Sequence, residues 1–220
     1  MTQTMTIDIV SDVSCPWCVI GVGGLEEALR RVGDDVQAEI RFQPFELNPD
    51  MPAGGENIVE HIGRKYGSTP EQSAKNREMI RARAAEVGFV MAMSDQSRIY
   101  NTFDAHRLLH WAGLKGEQRA LKHALFTAYF TDGKDPGASD ALVEAAAVAR
   151  LDPTEARQVL DTGRYADEVR QAERFWREAG ISAVPAFIIN DKYLISGGQP
   201  ADAFERALRT IAQEGGAQSS

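Results

Sequence analysis

Hydrophobic residues near the start of this chain follow two different periods. Apolar and polar residues alternate over 36–42, which predicts a strand, and the short apolar run 6–10 predicts another. Between these segments, apolar residues recur every three or four positions over 18–32, which predicts one face of a helix. The beginning of the chain is therefore expected to form a strand, a helix and a second strand.

A helical period continues over 56–164. Thr69 and Gln72 have the spacing of a capping box and Asp152 begins a second one, so a helix is expected after each. No segment of this block gives a convincing strand pattern. We therefore expect a purely helical region in the middle of the chain.

The strand pattern returns near the end of the chain. Two apolar runs, 186–189 and 193–195, flank a short polar segment and predict a hairpin. A helix is expected over 165–179 before this hairpin, and another is expected to begin at Pro200 after it. The whole order of elements predicts an α/β fold that carries a large all-helical insertion.

The predicted elements divide the chain into two structural units. Residues 1–55 and 165–214 are expected to form one discontinuous domain around the sheet, and 56–164 a helical subdomain inserted into it. The segment 215–220, which is rich in glycine and serine, is expected to be a disordered tail.

The chain is acidic, with 24 Lys and Arg against 32 Asp and Glu and a formal net charge of -8 over 220 residues. Such a charge does not favour binding to nucleic acid or to an anionic membrane. The N-terminal segment lacks the cationic and apolar regions of an export signal. We therefore expect a cytoplasmic protein.

The only two cysteines, Cys15 and Cys18, lie where the first strand meets the first helix. A disulfide closing so short a loop would stabilise the fold by only about 2 kcal/mol. Pro16 is favoured at the first helical position, which makes Cys15 the N-cap, where the helix dipole stabilises a thiolate. Its side chain should face the free N–H groups of Trp17 and Cys18. The pair is therefore expected to carry out thiol-disulfide exchange.

Five segments carry a resemblance to known proteins. The Cys-Pro-Trp-Cys motif at 15–18 and the Val-Pro pair at 184–185 resemble the thioredoxin superfamily, and the helical insertion narrows this to DsbA-type proteins. The segments 44–49, 101–108 and 196–200 resemble its FrnE-like branch. That branch is related to the 2-hydroxychromene-2-carboxylate isomerases and the kappa-class glutathione transferases.

The resemblance implies a thioredoxin-like fold with a large all-helical insertion and the activity of a thiol-disulfide oxidoreductase. Such an enzyme reduces, oxidises or isomerises disulfides in proteins or small thiols, with Cys15 attacking and Cys18 resolving. It needs no cofactor beyond the dithiol, and glutathione is a candidate partner. The sequence leaves open the substrate, the redox direction and whether the chain forms a homodimer.

The resemblance also implies roles for residues near the pair. Trp17 would line the substrate groove, and Pro16 with Trp17 would set the redox properties of the pair. Pro185 is expected in cis, so that the main chain of Val184 pairs with an extended peptide. Asp12 has two readings, as a proton acceptor for the resolving thiol or as a turn residue after the strand.

Several polar residues are candidates for binding a substrate or glutathione: Asn48, Asn101, Asp104, His106, Arg107, Ser196 and Gly197. For the segment 101–107 there is also a structural reading, in which Thr102 caps a helix and Asp104 pairs with Arg107. Either reading places this segment at the beginning of a helix.

Two other functions are considered. A glutathione-dependent isomerase or transferase acting on an aromatic substrate is one, but such relatives generally have serine where this chain has Cys15. A non-enzymatic zinc or peptide-binding module is the other, with His106 and His110 completing a two-Cys, two-His set. The Pro-Trp pair between the cysteines fits a redox motif better, so no metal site is expected. His61 and His123 are expected at the surface.

Overall fold

The computed structural model describes residues 2–217. The strands are β1 (Gln3–Ser11), β2 (Val36–Pro44), β3 (Glu56–Asn57), β4 (Arg98–Ile99), β5 (Ala186–Ile189) and β6 (Tyr193–Ser196). The helices are α1 (Pro16–Val32), α2 (Ile58–Tyr66), α3 (Pro70–Glu86), α4 (Phe103–Leu114), α5 (Gln118–Phe126), α6 (Ser139–Val148), α7 (Pro153–Asp161), α8 (Ala166–Glu178) and α9 (Ala201–Ala217). A π-helical turn, Thr127–Thr131, directly follows α5.

A four-stranded sheet in the order β2-β1-β5-β6 forms the centre of the fold. β1 pairs in parallel with β2 and antiparallel with β5, while β5 pairs antiparallel with β6. As an inner strand, β1 is buried on both faces, and Ile7 and Ile9 are completely inaccessible. Each such side chain contributes about 1.5–3 kcal/mol of hydrophobic stabilisation.

Helix α1 packs on the sheet through a glycine. A Cβ atom at Gly21 would lie 2.9 Å from the ring of Phe187 and 3.1 Å from Pro185. Only glycine leaves room for this approach, which brings the beginning of α1 against the segment that leads into β5. The two chain segments that carry the candidate motifs are thereby held together.

The helices between β2 and β5 pack into two separate hydrophobic cores. Ile58, Ala84 and Met93 join the same hydrophobic cluster as the sheet. Helices α4 to α7 bury a separate cluster, represented by Leu108 and Leu121, to which Val13 contributes from the end of the first strand. The second half of the helical block is therefore packed largely on itself.

Two expectations about the elements are corrected. The block over 56–164 contains a short antiparallel pair, β3 with β4, whose two-residue strands are too short to produce a sequence pattern. Residues 215–217 belong to α9 rather than to a tail, because a helix anchored by Phe204 and its neighbours extends by one hydrogen bond per added residue. Residues 218–220 lie outside the described part of the chain.

Within residues 2–217, no helix is both long and apolar enough to cross a membrane.

Candidate functional site

Cys15 is the N-cap residue of α1, as the sequence predicted, and Pro16 is its first helical residue. Both cysteines are free thiols and both are buried. The Cys15 sulfur makes no capping hydrogen bond with the described helix N–H groups, contrary to expectation. Its S–H instead points to the main-chain oxygen of Val184, at 3.6 Å.

Cys18 lies one turn into α1, and its N–H donates to the Cys15 oxygen at 3.0 Å. Burial, a hydrogen bond with Cys15 and the charge on Cys15 raise the pKa of the Cys18 thiol well above its ordinary value. Lys122 and the main chain of Asp12 act in the opposite direction. Forming a thiolate at Cys18 is therefore costly.

The peptide bond between Val184 and Pro185 is cis, the geometry that the resemblance implies. The Pro185 oxygen accepts a hydrogen bond of 2.8 Å from the N–H of Gly197, which fixes the segment before β5. Val184 thus presents its main chain beside Cys15.

Asp12 connects the cysteine loop to the chain that follows β2. Its carboxylate accepts hydrogen bonds from the N–H groups of Ser14, at 3.2 Å, and Leu47, at 2.8 Å. Nε2 of His106 lies 3.6 Å from the same carboxylate, and both side chains are buried. Although burial acts to raise the pKa of Asp12, the interaction with His106 and the two N–H donors hold it below its ordinary value. Asp12 is therefore an ionised anchor in this site.

A cavity of about 740 Å³ opens beside Cys15. Trp17, Ile62 and Tyr129 contribute apolar surface, while Lys65 and Arg77 contribute positive charge. Its size lies within the range typical of small-molecule sites. The cavity can accommodate a ligand that combines apolar and anionic groups next to the sulfur of Cys15.

The candidate residue Asn48 lines this cavity. Its side-chain oxygen accepts a hydrogen bond of 2.7 Å from Lys65 and lies 3.0 Å from Nε2 of His61. The other ring nitrogen of His61 lies 2.8 Å from Glu56. The prediction that His61 is a surface residue is wrong, because α2 turns it inward onto these two partners.

The candidates on the segment 101–107 have structural partners. Asn101 binds the side chain of Glu46, and its oxygen accepts the N–H of Phe103, so Asn101 caps α4 in place of Thr102.

Arg107 pairs with Asp104 at 2.6 Å and binds main-chain oxygens of Val159, Leu160 and Arg164. The described cavity lining does not include Asn101, Asp104, His106 or Arg107.

Ser196 and Gly197 also lie outside the described cavity lining. The turn that they begin packs directly against Trp17 through Gly198. A Cβ atom at Gly198 would lie 2.9 Å from the main-chain oxygen of Trp17. The segment 196–200 therefore positions the cysteine loop without reaching the cavity.

The structure gives no support to a zinc site. Within residues 2–217, no group of three or more His, Cys, Asp or Glu side chains is arranged to hold a metal ion. His106 faces Asp12, and the ring of His110 packs against Tyr165 at 5.0 Å between centroids. His123 pairs with Glu26 at the surface, as expected.

Sequence reasoning missed Lys122, a fully buried residue of α5. The sequence does contain a signal for this burial. Lys122 is four residues before Phe126, so the two side chains lie on the same face of α5, and that face is buried. A lysine on the apolar face of a helix is unusual. The cavity residues Lys65, Arg77 and Arg177 were missed because the segments that bring them together are far apart in sequence.

The sequence of this chain is similar to those of known proteins. The sequence pattern of the DSBA-like thioredoxin domain matches residues 6–209. The uncharacterized protein YwbO of Bacillus subtilis is 30% identical over 207 residues, covering 94% of this chain and 96% of YwbO.

Two solved structures have the same fold. A probable DsbA oxidoreductase from Streptomyces coelicolor is 35% identical with a TM-score of 0.86, covering 96% of this chain and 90% of that one. A 2-hydroxychromene-2-carboxylate isomerase is 14% identical with a TM-score of 0.70, covering 98% of this chain and 100% of the isomerase. The second likeness concerns the fold alone.

Proposed function

Because the chain belongs to the DSBA-like thioredoxin domain family, we propose that it is a thiol-disulfide oxidoreductase that uses Cys15 and Cys18. The observation that carries this proposal is the position of Cys15 at the beginning of α1, beside a cavity and with Cys18 one turn behind it. This arrangement gives one thiol access to a substrate and keeps the other for an internal step.

The reaction proceeds through two exchanges. The Cys15 thiolate attacks one sulfur of a substrate disulfide, forms a mixed disulfide and releases the first substrate thiol. Cys18 then attacks the Cys15 sulfur, the mixed disulfide breaks, and the second thiol leaves. The protein dithiol has lost two electrons and the substrate disulfide has gained them. An external thiol returns the pair to its reduced form, and the reverse sequence oxidises a substrate.

The cavity favours small disulfides that carry carboxylates, such as those formed by glutathione. Lys65 and Arg77 supply positive charge, and the Asn48 amide can bind a peptide group. The Val184 main chain lies beside Cys15, where it can pair with an extended peptide. We place this activity in the cytoplasm, with glutathione as redox partner and no bound cofactor.

A glutathione-dependent isomerase is the second candidate. The observation in its favour is the apolar wall of the cavity, where Ile62, Met93 and Tyr129 could contact an aromatic substrate. An isomerase must keep the glutathione thiol reduced, and a reactive cysteine pair works against this.

One assay separates the two candidates. Wild type and Cys15→Ser are given a mixed disulfide of glutathione and 2-mercaptoethanol, and disulfide reduction is followed by coupled NADPH oxidation with glutathione reductase. We expect turnover by wild type and none by Cys15→Ser. Wild type without reductase activity, together with a Cys15→Ser variant that retains glutathione-dependent isomerisation, would establish the isomerase instead.

A further inference from the structure

Lys122 is a buried cation in the same part of the core as Cys18, because the rings that flank it, Phe42 and Phe126, belong to the hydrophobic cluster that contains Cys18. Its side chain is completely inaccessible, and its Nζ has no hydrogen-bond partner among the described residues. The rings of Phe42 and Phe126 flank Nζ, at 5.5 and 5.0 Å from their centroids. Ring faces only partly replace the hydration of an ammonium group. A lysine in such a place is costly for the fold, so its charge calls for a specific use.

The charges that act on Lys122 come from the site itself. They are the thiolate forms of Cys18 and Cys15 and the carboxylate of Asp12. Most other titratable groups on the surrounding elements have partners of their own: Arg41 pairs with Asp8, Tyr129 donates to the Arg98 oxygen, Glu26 pairs with Arg119 and His123, Asp140 with Arg157, and Glu144 with Lys134. His106 faces Asp12, while Glu39 and His110 line the same cavity as Lys122.

We propose that Lys122 is a positioning residue that stabilises the thiolate of Cys18 while Cys18 resolves the mixed disulfide. This inference rests on the proposed function. Cys18 is the thiol most in need of such help, because it is fully buried in an apolar cluster. The acidic group nearby, Asp12, is already bound to two N–H groups and faces His106, so it holds the loop in place.

Resolution begins when Cys18 releases its proton to water and its sulfur attacks the sulfur of Cys15. The Cys15–Cys18 bond forms, the bond from Cys15 to the substrate sulfur breaks, and the substrate leaves as a thiolate that takes up a proton from water. The ammonium of Lys122 offsets the negative charge on Cys18 before the new bond forms, and the Asp12 carboxylate favours this ammonium form.

The protonation of Lys122 depends on its burial and on the charges of the cysteine site. Burial lowers the pKa of Lys122 to about 8, and the negative charges of Cys18, Asp12 and Cys15 act to raise it. Thermodynamic linkage requires that a thiolate which Lys122 stabilises must in turn hold the proton on Lys122. The two residues should therefore titrate as a coupled pair.

The reaction of the reduced protein with 5,5'-dithiobis(2-nitrobenzoate) tests the proposal. In stopped flow, the first release of thionitrobenzoate reports attack by Cys15, and the second reports resolution by Cys18. In Lys122→Met we expect the second phase to slow about tenfold more than the first, and its pH midpoint to rise by about one pH unit or more. Lys122→Arg, which keeps the charge, should restore part of the rate.

Phe126→Leu is the control, because it loosens the same packing without removing the charge. Its second phase should keep the wild-type pH midpoint. A Lys122→Met variant with the wild-type ratio of phases and the wild-type midpoint overturns the proposal. Wild type that releases no second equivalent overturns the proposed function instead, so the two failures are distinguishable.

A measurement on wild type covers the case in which Lys122→Met does not fold. The Cε signal of Lys122, labelled with ¹³C-lysine, is titrated by NMR in the reduced and the oxidised protein. We expect Lys122 to keep its proton to a higher pH in the reduced form, where the Cys18 thiolate can develop. Identical titrations in the two redox states reject the role of Lys122.

Discussion

The sulfur of Cys15 lies 3.6 Å from the main-chain oxygen of Val184, which is 169 positions away along the chain. Only the thiol form of Cys15 can donate a hydrogen bond to this oxygen, because a thiolate has no proton to give. When Cys15 reacts, the Val184 oxygen is released and can accept an N–H group from a substrate main chain. The contact thus connects the chemistry of the thiol with peptide binding in the proposed function.

The first prediction concerns the division of labour between the two thiols. Cys18→Ala should accumulate a mixed disulfide with glutathione at Cys15, because resolution is lost while attack is kept. Mass spectrometry of the intact protein measures the added mass. Cys15→Ser should form none, and glutathione trapped on Cys18 in that variant would reverse the assignment.

The second prediction concerns Lys65, which lines the cavity and donates to the Leu47 oxygen and to Asn48. Lys65→Met should raise the KM for a glutathione disulfide about twofold to fivefold and change kcat little, since an exposed charge contributes about 1 kcal/mol or less. The effect should decrease at high salt. Lys75→Met, an exposed position on α3 outside the described cavity lining, is the matched control. Equal effects in both variants would exclude a specific contact.

The third prediction concerns the pH dependence of stability at Asp12. Its pKa is lowered in the folded state from 3.8, so its stabilising contribution is complete above that pH and is lost as the pH falls through the folded-state pKa. Asp12→Asn should be less stable than wild type by about 1–3 kcal/mol at neutral pH, because its bonds to the N–H groups of Ser14 and Leu47 are weakened.

Urea denaturation at pH 7 and near pH 3 measures this difference. The gap between Asp12→Asn and wild type should narrow at the lower pH, because that pH lies below 3.8, the ordinary pKa of Asp12, where the unfolded chain takes up a proton and the folded protein binds fewer. A gap that stays constant between the two pH values would show that the ionised carboxylate is not the stabilising species.

The fourth prediction concerns the approach of α1 to the sheet. Gly21→Ala would place a Cβ atom 2.9 Å from Phe187 and 3.1 Å from Pro185, so we expect a loss of about 1–3 kcal/mol in the free energy of unfolding and lower activity. Gly63→Ala on α2 is the control. A Cβ atom there would lie 3.4 Å from the Ser68 oxygen, an ordinary van der Waals distance, so helix propensity should make that variant neutral or slightly more stable. Urea denaturation of both variants measures these changes in the free energy of unfolding.

Much of the fold could be predicted because individual helices and strands are specified by residues close together in the sequence. The alternation over 36–42 lies within β2, the capping box at Thr69 begins α3 as expected, and Cys15 is the N-cap of α1. Side-chain period and capping chemistry act over a few residues, so they leave a direct record in the sequence. The short strands β3 and β4 left no such record and were missed.

The sequence by itself determined the class of fold and singled out the cysteine pair as the candidate reactive group, because both depend on neighbouring residues: elements in a recognisable order, and two cysteines around Pro16 and Trp17. Only the tertiary structure decided what surrounds the pair. It buried His61 against Asn48, bound Arg107 to main-chain oxygens outside the cavity lining and enclosed Lys122 between the rings of Phe42 and Phe126. Burial and charge pairing depend on which distant segments pack together, and that information is distributed over the whole chain.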